Sequence, residues 1–174
     1  VVKIGVPGTA AMGDIEMTTL TFTSSNNRTT SKDANVICEV PPPGVEIGPN
    51  AYIEGTQVTT SRAGMAVTNT GGFEDTLDII ASSAHGWSAQ ILQADGVTPL
   101  VDTDGDLVPD TGLLGGGASL PIVISIEVPA DVINGTLDRT DILAASSADP
   151  SAIDEAILLC EVSPGFALTW PQFQ

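Results

Sequence analysis

The apolar residues of this chain fall in short bursts separated by clusters of Gly, Pro, Asn, Asp and Ser. "IEMTTLTFTS" (15–24) alternates apolar and polar positions, which puts the two sets on opposite faces of a strand. "ANVICEV" (34–40) is a nearly continuous apolar run, as in a strand buried on both faces. Similar runs recur at 51–60, 63–71, 76–83, 87–93, 120–128, 140–147, 156–162 and 166–170. Between them stand turn formers: "PPPG", "GPN", "NTGG", "ADG", "GGG", "NG" and "SPG". Only "ADPSAIDEAI" (149–158) has a helical start, with Asp149 suited to the cap and Pro150 to the first helical position. From Ile153 onward a strand is the better fit. Many short strands with regular turns predict an all-β antiparallel sandwich.

Composition sharpens this picture. A chain of 174 residues fits one domain, or one domain with an elaborated arm. Hydrophobic residues make up 42% but aromatics only 4%, so the core must be built from Val, Ile, Leu and Ala. The net charge is −17, and the basic residues Lys3, Arg28, Lys32, Arg62 and Arg139 form no patch. Nucleic-acid binding, which rests on neutralising phosphates, is excluded as an expectation. An anionic membrane surface would repel the chain. No run of about 20 apolar residues is present, so no membrane insertion is expected. Abundant Thr, Ser, Gly and Asn with scarce Lys suits a secreted surface protein. Cys38 and Cys160 stand in similar phrases, "VICEVPPPG" and "ILLCEVSPG". An even count in an extracellular chain predicts one disulfide tying the front of the chain to the back, the alternative being two buried thiols.

The most informative stretch is "VDTDGDLVPDTG" (101–112). Asp102, Asp104 and Asp106 occupy positions 1, 3 and 5 of a loop, the Val108 carbonyl falls at 7 and Asp110 at 9. Unpaired, these carboxylates repel one another. A hard cation such as calcium, which takes six to eight oxygen ligands, accounts for their grouping. The spacing is similar to the calcium loops of thrombospondin type 3 repeats and dockerins. It departs from the EF-hand at position 6, which is Leu107 rather than Gly, and at position 12, which is Leu113 rather than Glu. The flanks are strand and turn, so a helix-opening sensor is not expected. Asp95 in "QADG" is a candidate for a missing ligand, and the expected role of the ion is a structural clip.

Residues 62 to 163 carry further signposts: the "TNTG" turn, "GW" opening a strand, the calcium-type loop, "GGGAS" before an apolar strand, and the "VP…NGT" turn. In these features the segment resembles Ig-like β-sandwich repeat domains of bacterial and archaeal secreted and cell-surface proteins. The resemblance implies an extracellular, cell-surface location and a spacer, adhesive or coat-building role. It divides the chain into a strand-rich N-terminal arm (1–61) and an Ig-like sandwich (62–174).

Chemistry of other kinds finds little support. His85 is the only histidine, no "GxSxG" elbow occurs, and "GLLGGGAS" lacks the lysine of a phosphate loop. His85 reads as a turn residue beside a core Trp87, while Trp170 is freer to reach an interface. The chain is therefore not expected to be an enzyme. Asn27 and Asn134 head glycosylation sequons. The apolar opening "VVKIGVPGT" suits strand addition to a neighbouring subunit through Val1, Val2, Ile4 and Val6 within residues 1–10. Together these features point to a structural subunit of an extracellular filament, tube or surface layer, a homo-oligomer assembled by strand addition and stabilised by calcium. The alternative is a monomeric cell-surface module that binds a glycan or protein.

Overall fold

The computed structural model describes residues 3–5, 10 and 13–164. The chain forms two compact units, Val1–Pro42 and Pro43–Gln174. All eleven described elements are strands. The expected strand at 166–170 and Trp170 lie outside the described residues, as do Val1, Val2 and Val6. Ile4 is half-buried and outside any strand.

In the first unit, β1 (Ile15–Thr23) pairs antiparallel with β2 (Ser31–Glu39), from Ile15 opposite Glu39 to Thr23 opposite Ser31. The connecting turn is closed by the Ser24 amide on the Thr30 carbonyl and the Thr30 amide on the Asn27 carbonyl. The Asn27 side-chain oxygen accepts from the Thr29 amide and hydroxyl, so this sequon sits at an exposed tip. Ile15, Met17, Phe22 and Ile37 are all exposed on the ribbon.

The second unit is an Ig-like sandwich of two sheets. One has five strands in the order β4 (Ala51–Gly55), β11 (Ile153–Val162), β10 (Leu137–Ser146), β6 (Asp75–Ser83) and β8 (Asp110–Leu114). The other has four: β3 (Val45–Gly48), β5 (Thr60–Asn69), β9 (Ser119–Glu127) and β7 (Ser88–Gln93). All pairings are antiparallel except β4 with β11. The chain passes from one sheet to the other between β3 and β4 and so ties the two sheets along that side. Alternation supplies the core: Ala63, Met65 and Val67 from β5, Ile122, Ile124 and Ile126 from β9, Leu77 and Ile79 from β6, and Leu158 from β11. Trp87 is buried with them, as expected.

The arm ends at Pro42 rather than at 61, because β3 and β4 pair with β5 and β11 and belong to the sandwich. The stretch 149–158 forms no helix. Asp149 instead closes a turn, accepting from the Ser151 amide and hydroxyl, and β11 begins at Ile153. Cys38, in the first unit, and Cys160, in the second, stand as free thiols in this structure. Cys38 lies half-buried on the ribbon. Cys160 faces the sandwich core, where burial pushes its thiol up and keeps it protonated and inert.

Three details show local sequence enforcing this packing. Gly55 lies where an added Cβ would come within 2.7 Å of Val128 Cγ2 and Ser61 Oγ, so only glycine fits. Asn69, in the "TNTG" turn, is buried; its amide donates to the Phe73 and Leu114 carbonyls and its oxygen accepts the Gly71 amide. One side chain thus joins the end of β5 to the end of β8. Asp138, also buried, accepts from Ser83 Oγ, the His85 amide, His85 Nδ1 and Thr140 Oγ1.

Candidate metal centre

The acidic loop leaves the far end of β7 and returns as β8. Asp102 starts it as two turns in one, its two oxygens accepting the Gly105 and Leu107 amides at 2.7 and 3.0 Å. These bonds hold the Asp102 carboxyl below the usual carboxylate range. Asp106 accepts the Val108 amide at 2.8 Å. The curl requires positive φ at Gly105 (94°) and at Leu107 (76°). Leu107 is the position where an EF-hand has glycine, and its side chain is 91% exposed.

Asp110 anchors the return. It is 2% exposed, and its oxygens accept the Thr103 amide and hydroxyl and the Gly112 amide. Burial alone would raise its pKa; these bonds outweigh it and hold the carboxyl low.

A residue outside the loop completes the cluster. A bulge in the β6–β8 pairing between Thr76 and Asp78 sets Asp78 opposite Asp110. Thr111 Oγ1 accepts the Leu77 amide at 3.0 Å and satisfies the bulge. The carboxylate oxygens of Asp78, Asp104 and Asp110 lie within 4.8 Å of one another, as do those of Asp102, Asp104 and Asp106. Asp104 is shared. Burial pushes the Asp78 carboxyl above its ordinary range; Asp106, Asp104 and Asp110 push it further, against a hydrogen bond from Ser147. The donor set is all oxygen, the kind a hard cation takes.

Sequence reasoning missed Asp78, because a strand residue 24 positions before the loop gives no local signal. Asp95 joins neither cluster. It accepts from the Val97 and Thr98 amides and the Thr98 hydroxyl within its own turn. Asn134, the second sequon, is exposed between β9 and β10. His85 Nδ1 lies 3.0 Å from Asp138, but Ser83 Oγ donates to Asp138 rather than to His85. Serine, histidine and aspartate are thus neighbours without forming a proton relay from the serine. His85 tilts over Trp87 with ring centroids 5.9 Å apart.

No family model matches the chain, and no curated protein matches it in sequence. Among solved structures it is similar to a PapD-like domain of human CEP192, at 15% identity and a TM-score of 0.41, over 70% of this chain and 87% of that one. It is also similar to the Escherichia coli chaperone DraB, at 12% identity and a TM-score of 0.38, over 70% and 55% of the two chains. The secreted serine protease VesC of Vibrio cholerae matches at 13% identity and a TM-score of 0.42 over 68% of this chain, which spans only 23% of VesC. No helix among the described residues is long and apolar enough to cross a membrane.

Proposed function

We propose that the chain is an extracellular structural subunit that assembles with copies of itself into a filament, tube or surface layer by β-strand addition, with calcium as its clip. The observation that carries this reading is the first unit. It is a two-stranded ribbon with exposed Ile15, Met17, Phe22 and Ile37. Isolated two-stranded ribbons are marginal in water, and unpaired strand edges are templates for another chain. The apolar opening segment of residues 1–10 is the donor strand in this reading. A head-to-tail contact of this kind does not close on itself and therefore propagates.

Calcium is held by Asp102, Asp104, Asp106 and Asp110, with the Val108 carbonyl and Asp78. Bound there, the ion neutralises the loop and fixes it across the β6–β8 edge. At about 100 times its dissociation constant it stabilises the fold by about 2.7 kcal/mol. Calcium titration followed by thermal unfolding tests this. Asp104→Asn is expected to abolish the calcium-dependent rise in Tm while leaving the calcium-free Tm unchanged or slightly higher, since a repelling charge is lost. An undiminished rise would remove Asp104 from the site. Asn27 and Asn134 are exposed at turns and are proposed glycan acceptors, checked by intact mass before and after deglycosylation. A monomer that captures a specific glycan or protein would favour the adhesion-module alternative.

A further inference from the structure

The two sides of the sandwich are not equivalent. Along one, the chain crosses directly from β3 to β4 and joins the sheets. Along the other, the chain crosses from β7 to β8 through the long acidic loop, which covers only part of either edge. β8 pairs with β6 only up to Asp78. One more bond follows, from the Ile79 amide to the Pro109 carbonyl at 2.8 Å. By strand alternation the amide and carbonyl of Ala81 face the same open edge, and no strand lies beside them among the described residues. Opposite stands β7, the last strand of its sheet. Its far half is covered by the Leu100 amide on the Ile91 carbonyl and the Gln93 amide on the Thr98 carbonyl, but Ala89 is not.

Between these edges runs a groove of about 430 Å³ lined by Ile79, Ala81, Ala89, Ile91, Leu100 and Pro109. Exposed apolar grooves bounded by an unpaired strand edge suit an added strand: main-chain bonds give affinity, and alternate side chains fill the groove. The outer face of β6 beside it carries Asp78, close to Asp104 and Asp110.

Charge narrows the occupant. The first unit holds Asp14, Glu16, Asp33 and Glu39 against Lys3, Arg28 and Lys32, a net −1 of the chain's −17; the sandwich unit carries the remaining −16. Two sandwiches repel, whereas a first unit meets a sandwich with little penalty. Within that unit "VVKIGV" (1–6) carries only the positive charge of Lys3. In an extended strand, Val2, Ile4 and Val6 share one face and Lys3 lies on the other.

We infer that the groove between β6 and β7 is the acceptor site, and that its occupant is the segment Val1–Val6 of a second copy, added to the open edge of β6. Val2, Ile4 and Val6 enter the groove, and Lys3 lies on the face that carries Asp78. This inference rests on the strand-addition reading above and says where the strand goes.

The test uses the full chain, dispersed and assembled with calcium. Hydrogen exchange read residue by residue should slow at the Ala81 amide by about tenfold or more on assembly. Carbodiimide coupling of a mixture of ¹⁴N- and ¹⁵N-labelled chains should give a crosslink of mixed label between Lys3 and a carboxylate beside the groove. Lys3→Glu, a change at an exposed residue, should raise the critical concentration about two- to fivefold. Assembly with protection at Ala89, β3 or β4 instead of Ala81 would overturn the acceptor and leave strand addition standing. Protection at Ala81 with no intermolecular Lys3 crosslink would overturn the occupant. Failure to assemble at any calcium concentration would overturn the underlying reading itself.

Discussion

Asp138 shows how much a single buried carboxylate organises here. Burial alone would raise its pKa, but bonds from Ser83, the His85 amide, Thr140 and the His85 ring hold it below the ordinary range. A depressed folded pKa contributes stability that is complete above the unfolded value near 4 and lost as pH falls through the folded value. Asp138→Ala leaves these donors unsatisfied and should cost about 3 kcal/mol in denaturant unfolding at pH 7, and less below pH 3. Asp78 has the opposite sign. Its raised folded pKa means that its charged form disfavours the native state above that value, a cost relieved as pH falls. Below that value calcium must displace the Asp78 proton, so calcium affinity should fall as pH is lowered through it. Isothermal titration across pH should show proton release on binding, and Asp78→Asn should abolish the Asp78 component of it. That Asp102, Asp104 and Asp106 come together was legible because they stand close together in the sequence. Asp78 and Asp138 were not, because strand register and a bulge bring their partners together from distant sequence.

Among the elements, strand existence was readable wherever apolar residues alternate or run together, as in β1, β5, β6 and β9. β3 and β8 escaped notice for a physical reason. "VEIG" lies between two proline turns, and "DTGLL" carries an aspartate and a glycine because it is an edge strand that also ends the acidic loop. β8 is shaped by the loop as much as by the sheet. Leu107 gives a test of that shape: a left-handed backbone at a non-glycine residue costs about 1–2 kcal/mol, and asparagine tolerates it better. Leu107→Asn should stabilise the calcium-free protein by about 0.5–1 kcal/mol; an unchanged or lowered midpoint in urea would mean the loop does not hold that conformation in solution. The Cys160 side chain is used as a core residue, so thiol reagents should leave it unmodified in the native state and label it only on unfolding.

For the whole molecule, what matters is the uneven division of charge and of apolar surface. The sandwich unit buries its core well and carries nearly all the negative charge, which keeps free sandwiches apart. The first unit is nearly neutral and exposes apolar side chains on a ribbon. Composition foreshadowed the total charge but not its division, which depends on where the compact units separate. Assembly should therefore respond to both calcium and ionic strength, since added salt screens the repulsion between sandwiches. The most direct measurement is negative-stain electron microscopy of the purified native protein with calcium and again after chelation. The account predicts filaments, tubes or layers with calcium and their loss on chelation. Single particles under both conditions would contradict it.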